Sequence, residues 1–206
     1  MSIYIFTKIF LVCLLGAMSP GPSMVVVINN AIFKNRFHGI LTSLGHGIGI
    51  SLYALFAVLG IALIIKTNLF VFNAIKFFSI IFLIYLGLKS ILSSSNQLDF
   101  DRKNYKGNMT SFFQGLSISL LNPKIFVWFL AIYSQFISIE NDIIFNTYLI
   151  LTAGIVDTIW YITLTYLVTS MIALDFIKVK SKLLKKFIGY IFITIGIFLI
   201  LELFIF

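Results

Sequence analysis

The chain has 206 residues, of which 60% are hydrophobic and only 11% charged. With a mean hydropathy of +1.08 it has too little polar surface to coat a soluble domain. The net charge of +8 would point to nucleic acid in a soluble protein, but in a chain this apolar it reads as membrane-loop orientation and contact with anionic headgroups, so lipid is the expected partner and nucleic acid is not.

A helix needs ~20 apolar residues to cross a ~30 Å hydrocarbon core, which gives this chain room for about six spans and no sizeable soluble domain. Strand-type alternation is absent and Phe77 to Leu92 is apolar on both faces, which excludes a transmembrane barrel. The first segment, Ile3 to Phe33, begins like a cleaved signal, with Lys8, an apolar run and Gly16-Ala17, but the apolar pattern resumes at Met24, so a retained span is expected. It holds the single cysteine, Cys13, which excludes an intrachain disulfide or a two-thiol relay. It also holds Ser19-Pro20-Gly21-Pro22. The second segment, Gly39 to Ile65, carries His46 within Gly45-His46-Gly47-Ile48-Gly49, and the third runs from Leu69 to Leu92 with Lys76 close enough to one end to snorkel. The polar interval Ser93 to Thr110 is a linker. The fourth segment, Ser111 to Ile139, contains Asn122-Pro123-Lys124; the fifth, Ile143 to Leu174, contains Asp157, Trp160 and Tyr161; the sixth runs from Leu183 to Phe206 with Glu202 near its end.

Three spans, a linker and three spans predict an all-α integral membrane protein: a single transport domain over 1–206, with repeat one at 1–92, the linker at 93–110 and repeat two at 111–206. An odd number of crossings per half requires any repeat to be inverted in the membrane. The only three prolines fall in segments one and four, each of which, at about 30 residues or ~45 Å, is longer than the core is thick. A simple packing kink is one account of them. Pro20 and Pro22, however, remove two ladder donors within three residues, more than a kink requires, and Pro123 stands at a corresponding place in the other half. Helices one and four are therefore predicted to be broken at membrane depth. Exposed amides at a half-helix start suit a carboxylate and freed carbonyls suit an ammonium, so Ser19, Pro20, Gly21, Pro22, Asn122, Pro123 and Lys124 are candidate binding residues for a zwitterion.

Charge at membrane depth costs at least ~2.5 kcal/mol on insertion scales. Asp157 is too far from either end of its segment to snorkel; it is the candidate coupling residue, binding a proton or a substrate ammonium, with a buried hydrogen-bond acceptor as the plain alternative. Lys124 could bind a substrate carboxylate, pair with Asp157, or neutralise freed helix carbonyls. His46 could exchange protons in the coupling step or serve as an interhelical hydrogen-bonding group. Among aromatic residues that are mainly lipid-facing, Trp160 and Tyr161 are exceptions by position, and Trp160 joins the candidate binding residues. One deep acid and two histidines, with no cysteine cluster, give no metal site, and neither a Gly-x-Ser-x-Gly elbow nor a glutamate-histidine pair is present, so neither a cofactor nor enzymatic activity is expected. A metal or small-solute efflux carrier and a pore or packing subunit remain as rival readings.

Loops one, three and five together carry eleven basic residues, whereas the opposite side carries Lys8 and Lys66. The positive-inside rule places both termini outside the cytoplasm.

Met18-Ser19-Pro20-Gly21-Pro22, a glycine-rich second span, Tyr85-Leu86-Gly87, Gln114-Gly115, Asn122-Pro123-Lys124, Gln135-Phe136, and Asp157 with Trp160 occur in an order that resembles the LysE/RhtB amino-acid exporter family over nearly the whole chain. Ser79-Ile80 and Phe82 depart from that family, where a Gly-Ala pair and a tyrosine are usual. The resemblance implies a multi-pass carrier in the bacterial inner membrane that moves amino acids or related small metabolites outward, by proton antiport or exchange; it admits a homodimer without requiring one.

Overall fold

The computed structural model describes residues 3–92, 110–133, 135–137, 142–170 and 173–205. The linker at 93–109 lies outside them. The described residues are 92% helical and contain no strand.

The first helix, α1 (Ile3–Met18), stops where Pro20 and Pro22 cannot donate, and α2 (Pro22–Asn29) starts with Pro22 in its first turn, where a missing N–H costs nothing. The two axes differ by 68°. A π-helical turn, Asn30–Lys34, extends α2 to Asn35, whose extended backbone turns the chain and whose side chain caps α3 (Arg36–Thr67) by accepting from the His38 amide at 3.1 Å. Asn68 separates α3 from α4 (Leu69–Leu92).

After the linker, α5 (Ser111–Leu121) ends at Asn122 and α6 (Pro123–Tyr133) begins at once. Asp142 caps α7 (Ile143–Val168), accepting from the Phe145 amide at 2.7 Å. Finally α8 (Ala173–Ile205) starts earlier than its apolar run at Leu183, because lysine is a good helix former and the helix continues through the basic stretch before the apolar one. Among the described residues, three helices taken singly are long and apolar enough to cross a membrane, and the bent α1–α2 pair makes a fourth; Ser111–Leu121 and Lys186–Leu201 are shorter apolar helices.

Inside lipid there is no hydrophobic gain from pairing apolar helices, so close packing of small residues has to hold them together. Three interfaces do this. On α3 and α5, a methyl group at Gly45 would strike the Phe112 carbonyl and one at Gly115 the Thr42 carbonyl. Where α3 meets α7, Gly47 lies against Thr158 and Gly154 against Ser51, while α4 and α8 meet at Gly87 and Gly189, each facing the other's carbonyl. Large side chains such as Phe56, Leu63, Phe70 and Phe78 point outward, a surface that would aggregate in water and is solvated by acyl chains in a bilayer.

Candidate functional site

The half-helix ends meet α3 and α7 around a small cavity of about 50 Å³. Its polar lining comes from Ser19, Gly21, Ser23, His46, Asn122, Lys124 and Asp157; the rest is mostly apolar.

Lys124 follows Pro123 into the first turn of α6 and reaches across to the other break. Its Nζ donates to the Ser19 hydroxyl and, at 3.3 Å each, to the Ser19 and Pro20 carbonyls. These carbonyls stand in the break between α1 and α2, outside both helical ladders. The two breaks are not equivalent. At α6, the Lys124 amide donates to Asn122 Oδ1 at 3.1 Å and the Ile125 amide to the Asn122 carbonyl at 3.0 Å, so Asn122 caps its own half-helix, while its Nδ2 donates to Ser23 Oγ at 3.2 Å. At α2 the cap residue is Gly21, which lines the cavity beside Lys124 and has no side chain to offer the first-turn amides. An anion is better served there than at α6.

On the other wall, His46 Nδ1 lies 2.6 Å from Asp157 Oδ2, with both residues buried. The imidazole meets the Tyr161 ring edge-on at 4.8 Å, and its Nε2 has no hydrogen-bond partner. The pair has two useful charge states. With one mobile proton it is neutral overall, whether written as imidazolium–carboxylate or imidazole–carboxylic acid; without it, the pair carries a net −1 charge in an apolar wall, which a cation could neutralise. Lys124 therefore bonds the freed carbonyls, and the partner of Asp157 is His46.

Of the residues selected from sequence, Ser19, Gly21, Asn122, Lys124, His46 and Asp157 line this cavity. Pro20, Pro22 and Pro123 stand behind it, lining an adjoining groove with Leu86 and Lys89. Trp160 is placed elsewhere: it packs against the Met24–Val27–Ile28 cluster and borders a separate apolar pocket. Its neighbour Tyr161, set apart by position in the sequence, faces the cavity instead, and Cys13, Trp128 and Tyr133, which no sequence signal marks as binding residues, line it as well. Positions four apart from Asp157 are Ala153 and Tyr161, so helical spacing was the available signal.

A second polar cluster lies beyond the cavity, toward the basic loops. Asn30, fully buried in the π-helical turn, donates from Nδ2 to Gln114 Oε1 at 2.8 Å and accepts from Ser111 Oγ at 3.0 Å. Ser111 Oγ is also 2.8 Å from His38 Nδ1 and accepts from Lys34 Nζ at 3.3 Å. This clasp joins α2, α3 and α5 at one end of the molecule.

A family model described as LysE type translocator matches residues 14–203. A Bacillus subtilis (strain 168) protein named as uncharacterized membrane protein YrhP is 30% identical over 192 residues, covering 86% of this chain and 90% of that protein. Leucine efflux proteins of Salmonella choleraesuis and Salmonella typhimurium are each 27% identical over 197 residues, covering 92% of this chain and 89% of each relative. No solved structure matches. The family match spans nearly the whole chain, including both helix breaks and the buried pair, and the chain belongs to the LysE family of translocators: it is a multi-pass membrane transporter, not an enzyme.

Proposed function

We propose that the protein exports amino acids or closely related zwitterions across the bacterial inner membrane, exchanging each for a proton. The observation carrying this reading is that one cavity holds two stations of opposite sign: Lys124 with the uncapped start of α2, suited to a carboxylate, and Asp157 with His46, suited to an ammonium or a proton. Proton and ammonium compete for the same net −1 site, so loading one expels the other. That competition is antiport. The relatives named for leucine efflux support the substrate class.

In the same reading six spans form two inverted repeats, with α1–α2 equivalent to α5–α6, α3 to α7 and α4 to α8. The packing supports it: α1 lies on α7 as α5 lies on α3, and both α3–α7 and α4–α8 are pairs of equivalent helices. The clasp around Asn30 then closes the cavity on the side of the basic loops, which the positive-inside rule makes cytoplasmic. Rival metal efflux finds no support in the donor set, since no three His, Cys, Asp or Glu residues converge among the described residues.

Counterflow into proteoliposomes, with a panel of labelled amino acids, tests the function. Saturable exchange of at least one zwitterionic amino acid is expected, and Lys124→Met should raise its KM by about 10- to 100-fold, the equivalent of one charged hydrogen bond at ~1.5–3 kcal/mol. Absence of exchange for every member, with protein correctly inserted, would sink the proposal. Orientation is tested separately: in a Cys13→Ala background, a membrane-impermeant thiol reagent applied to intact cells should label a cysteine replacing Asn141 and spare one replacing Lys103. The reverse pattern would place the termini inside.

A further inference from the structure

One part of the cavity is not used by either charged station. From the breaks, α1 and α6 run side by side in opposite directions: Lys124 reaches Ser19, the Trp128 ring lies against Gly16, and the Tyr133 hydroxyl meets Cys13. Ile50 and Ala153 close the same slot, one helical turn from His46 and Asp157 in the direction of Leu149. A methyl group added to Gly16 would come within 2.8 Å of Trp128 atoms, so glycine there is what leaves the indole its place on the slot wall.

The end of the slot is chemically closed. The Tyr133 hydroxyl donates to the Leu149 carbonyl at 3.0 Å, and the Cys13 thiol lies 3.5 Å from the Tyr133 oxygen. Tyr133 has one proton to donate and has given it to Leu149, so the thiol is the donor to the tyrosine oxygen. Neither group retains a strong donor or acceptor for a ligand, and the remaining walls are aliphatic or aromatic. A charged or amide-bearing side chain entering this slot would shed its water without replacement, whereas an aliphatic one would gain burial.

We propose that the slot between α1 and α6 is the side-chain subsite of the transported amino acid, that it selects neutral amino acids with aliphatic side chains, and that Cys13 and Ile50 set the length and width it admits. This rests on the exporter reading above, since the slot is continuous with the two charged stations in one cavity. Carboxylate and ammonium stay at the polar end and the side chain points toward Tyr133.

Counterflow of leucine, alanine, phenylalanine, lysine and glutamate separates the possibilities. Wild-type protein should exchange leucine at least ~10-fold faster than lysine or glutamate, the size of discrimination that a dry apolar pocket can supply. Cys13→Leu, which fills the closed end, should lower leucine exchange relative to alanine by at least ~10-fold, and Ile50→Ala should raise phenylalanine relative to leucine by a similar factor. Where Cys13→Leu does not accumulate in the membrane, Ile50→Ala decides alone. Unchanged ratios in inserted variants, or wild-type exchange of lysine or glutamate as fast as leucine, would overturn the subsite while leaving amino-acid export standing. If wild-type protein exchanges none of these amino acids, the exporter reading falls and the subsite with it.

Discussion

Asp157→Asn should abolish uphill export driven by a pH gradient while leaving downhill exchange measurable at high substrate concentration. Asparagine has nearly the shape of aspartate, so the bond at Nδ1 of His46, 2.6 Å in the present structure, is kept in kind. What disappears is the net −1 state that proton and ammonium compete for. Without it, loading substrate no longer expels a proton, and a pH gradient has nothing to act on. Substrate binding is weakened rather than lost, because an ammonium still finds a carbonyl oxygen: replacing a charged by a neutral acceptor removes part of a ~1.5–3 kcal/mol bond, a factor of about 10 in KM. Proteoliposomes with an imposed pH gradient read the first effect, and counterflow without a gradient reads the second. If the variant still accumulates substrate against its gradient, the coupling proton is elsewhere. If transport is untouched and only thermal stability falls, Asp157 is a structural acceptor.

Much of the framework could be read in the sequence because lipid imposes it. Apolar runs and their breaks mark α4 at Leu69–Leu92, and the three prolines mark the ends of α1 and α5 before any contact is known. The hydropathy pattern fails at α8, where the helix continues into a lysine-rich stretch that is polar but not helix-breaking. In the site, residues whose chemistry is costly in a membrane stood out individually: Asp157, Lys124, His46. Their partnerships did not. That His46 rather than Lys124 meets Asp157 depends on the rotation of α3 about its axis, to which composition is blind. Trp160 and Tyr161 illustrate the same limit, since one residue is ~100° of helix and only the second of them faces the cavity. Trp128, Cys13 and Tyr133 were invisible because aromatic residues and a lone thiol are the ordinary content of a membrane helix.

The largest loss of folded protein is expected from a change of one methyl group. At Gly45 an added Cβ would meet the carbonyl of Phe112, and at Gly115 it would meet the carbonyl of Thr42, both backbone atoms on the facing helix. A flexible side chain could turn aside; a carbonyl held in a helical ladder cannot, so α3 and α5 must separate along their whole contact. Overpacking typically costs ~1–3 kcal/mol even where side chains can adjust, and here they cannot. Since small-residue contact is also what holds helices together in lipid, separation removes the attraction as well as adding strain. Gly60 supplies the internal control: it lies in the same helix, and nothing stands within 4 Å of an added Cβ. Gly45→Ala and Gly115→Ala should each remove most of the monodisperse protein recovered in detergent and lower its melting temperature, while Gly60→Ala should match or exceed wild type, because alanine is the better helix former by ~1 kcal/mol. Equal behaviour of all three variants in size-exclusion profile and melting temperature would show that α3 and α5 are not packed backbone to backbone, and would remove the most extensive contact between the two halves of the chain.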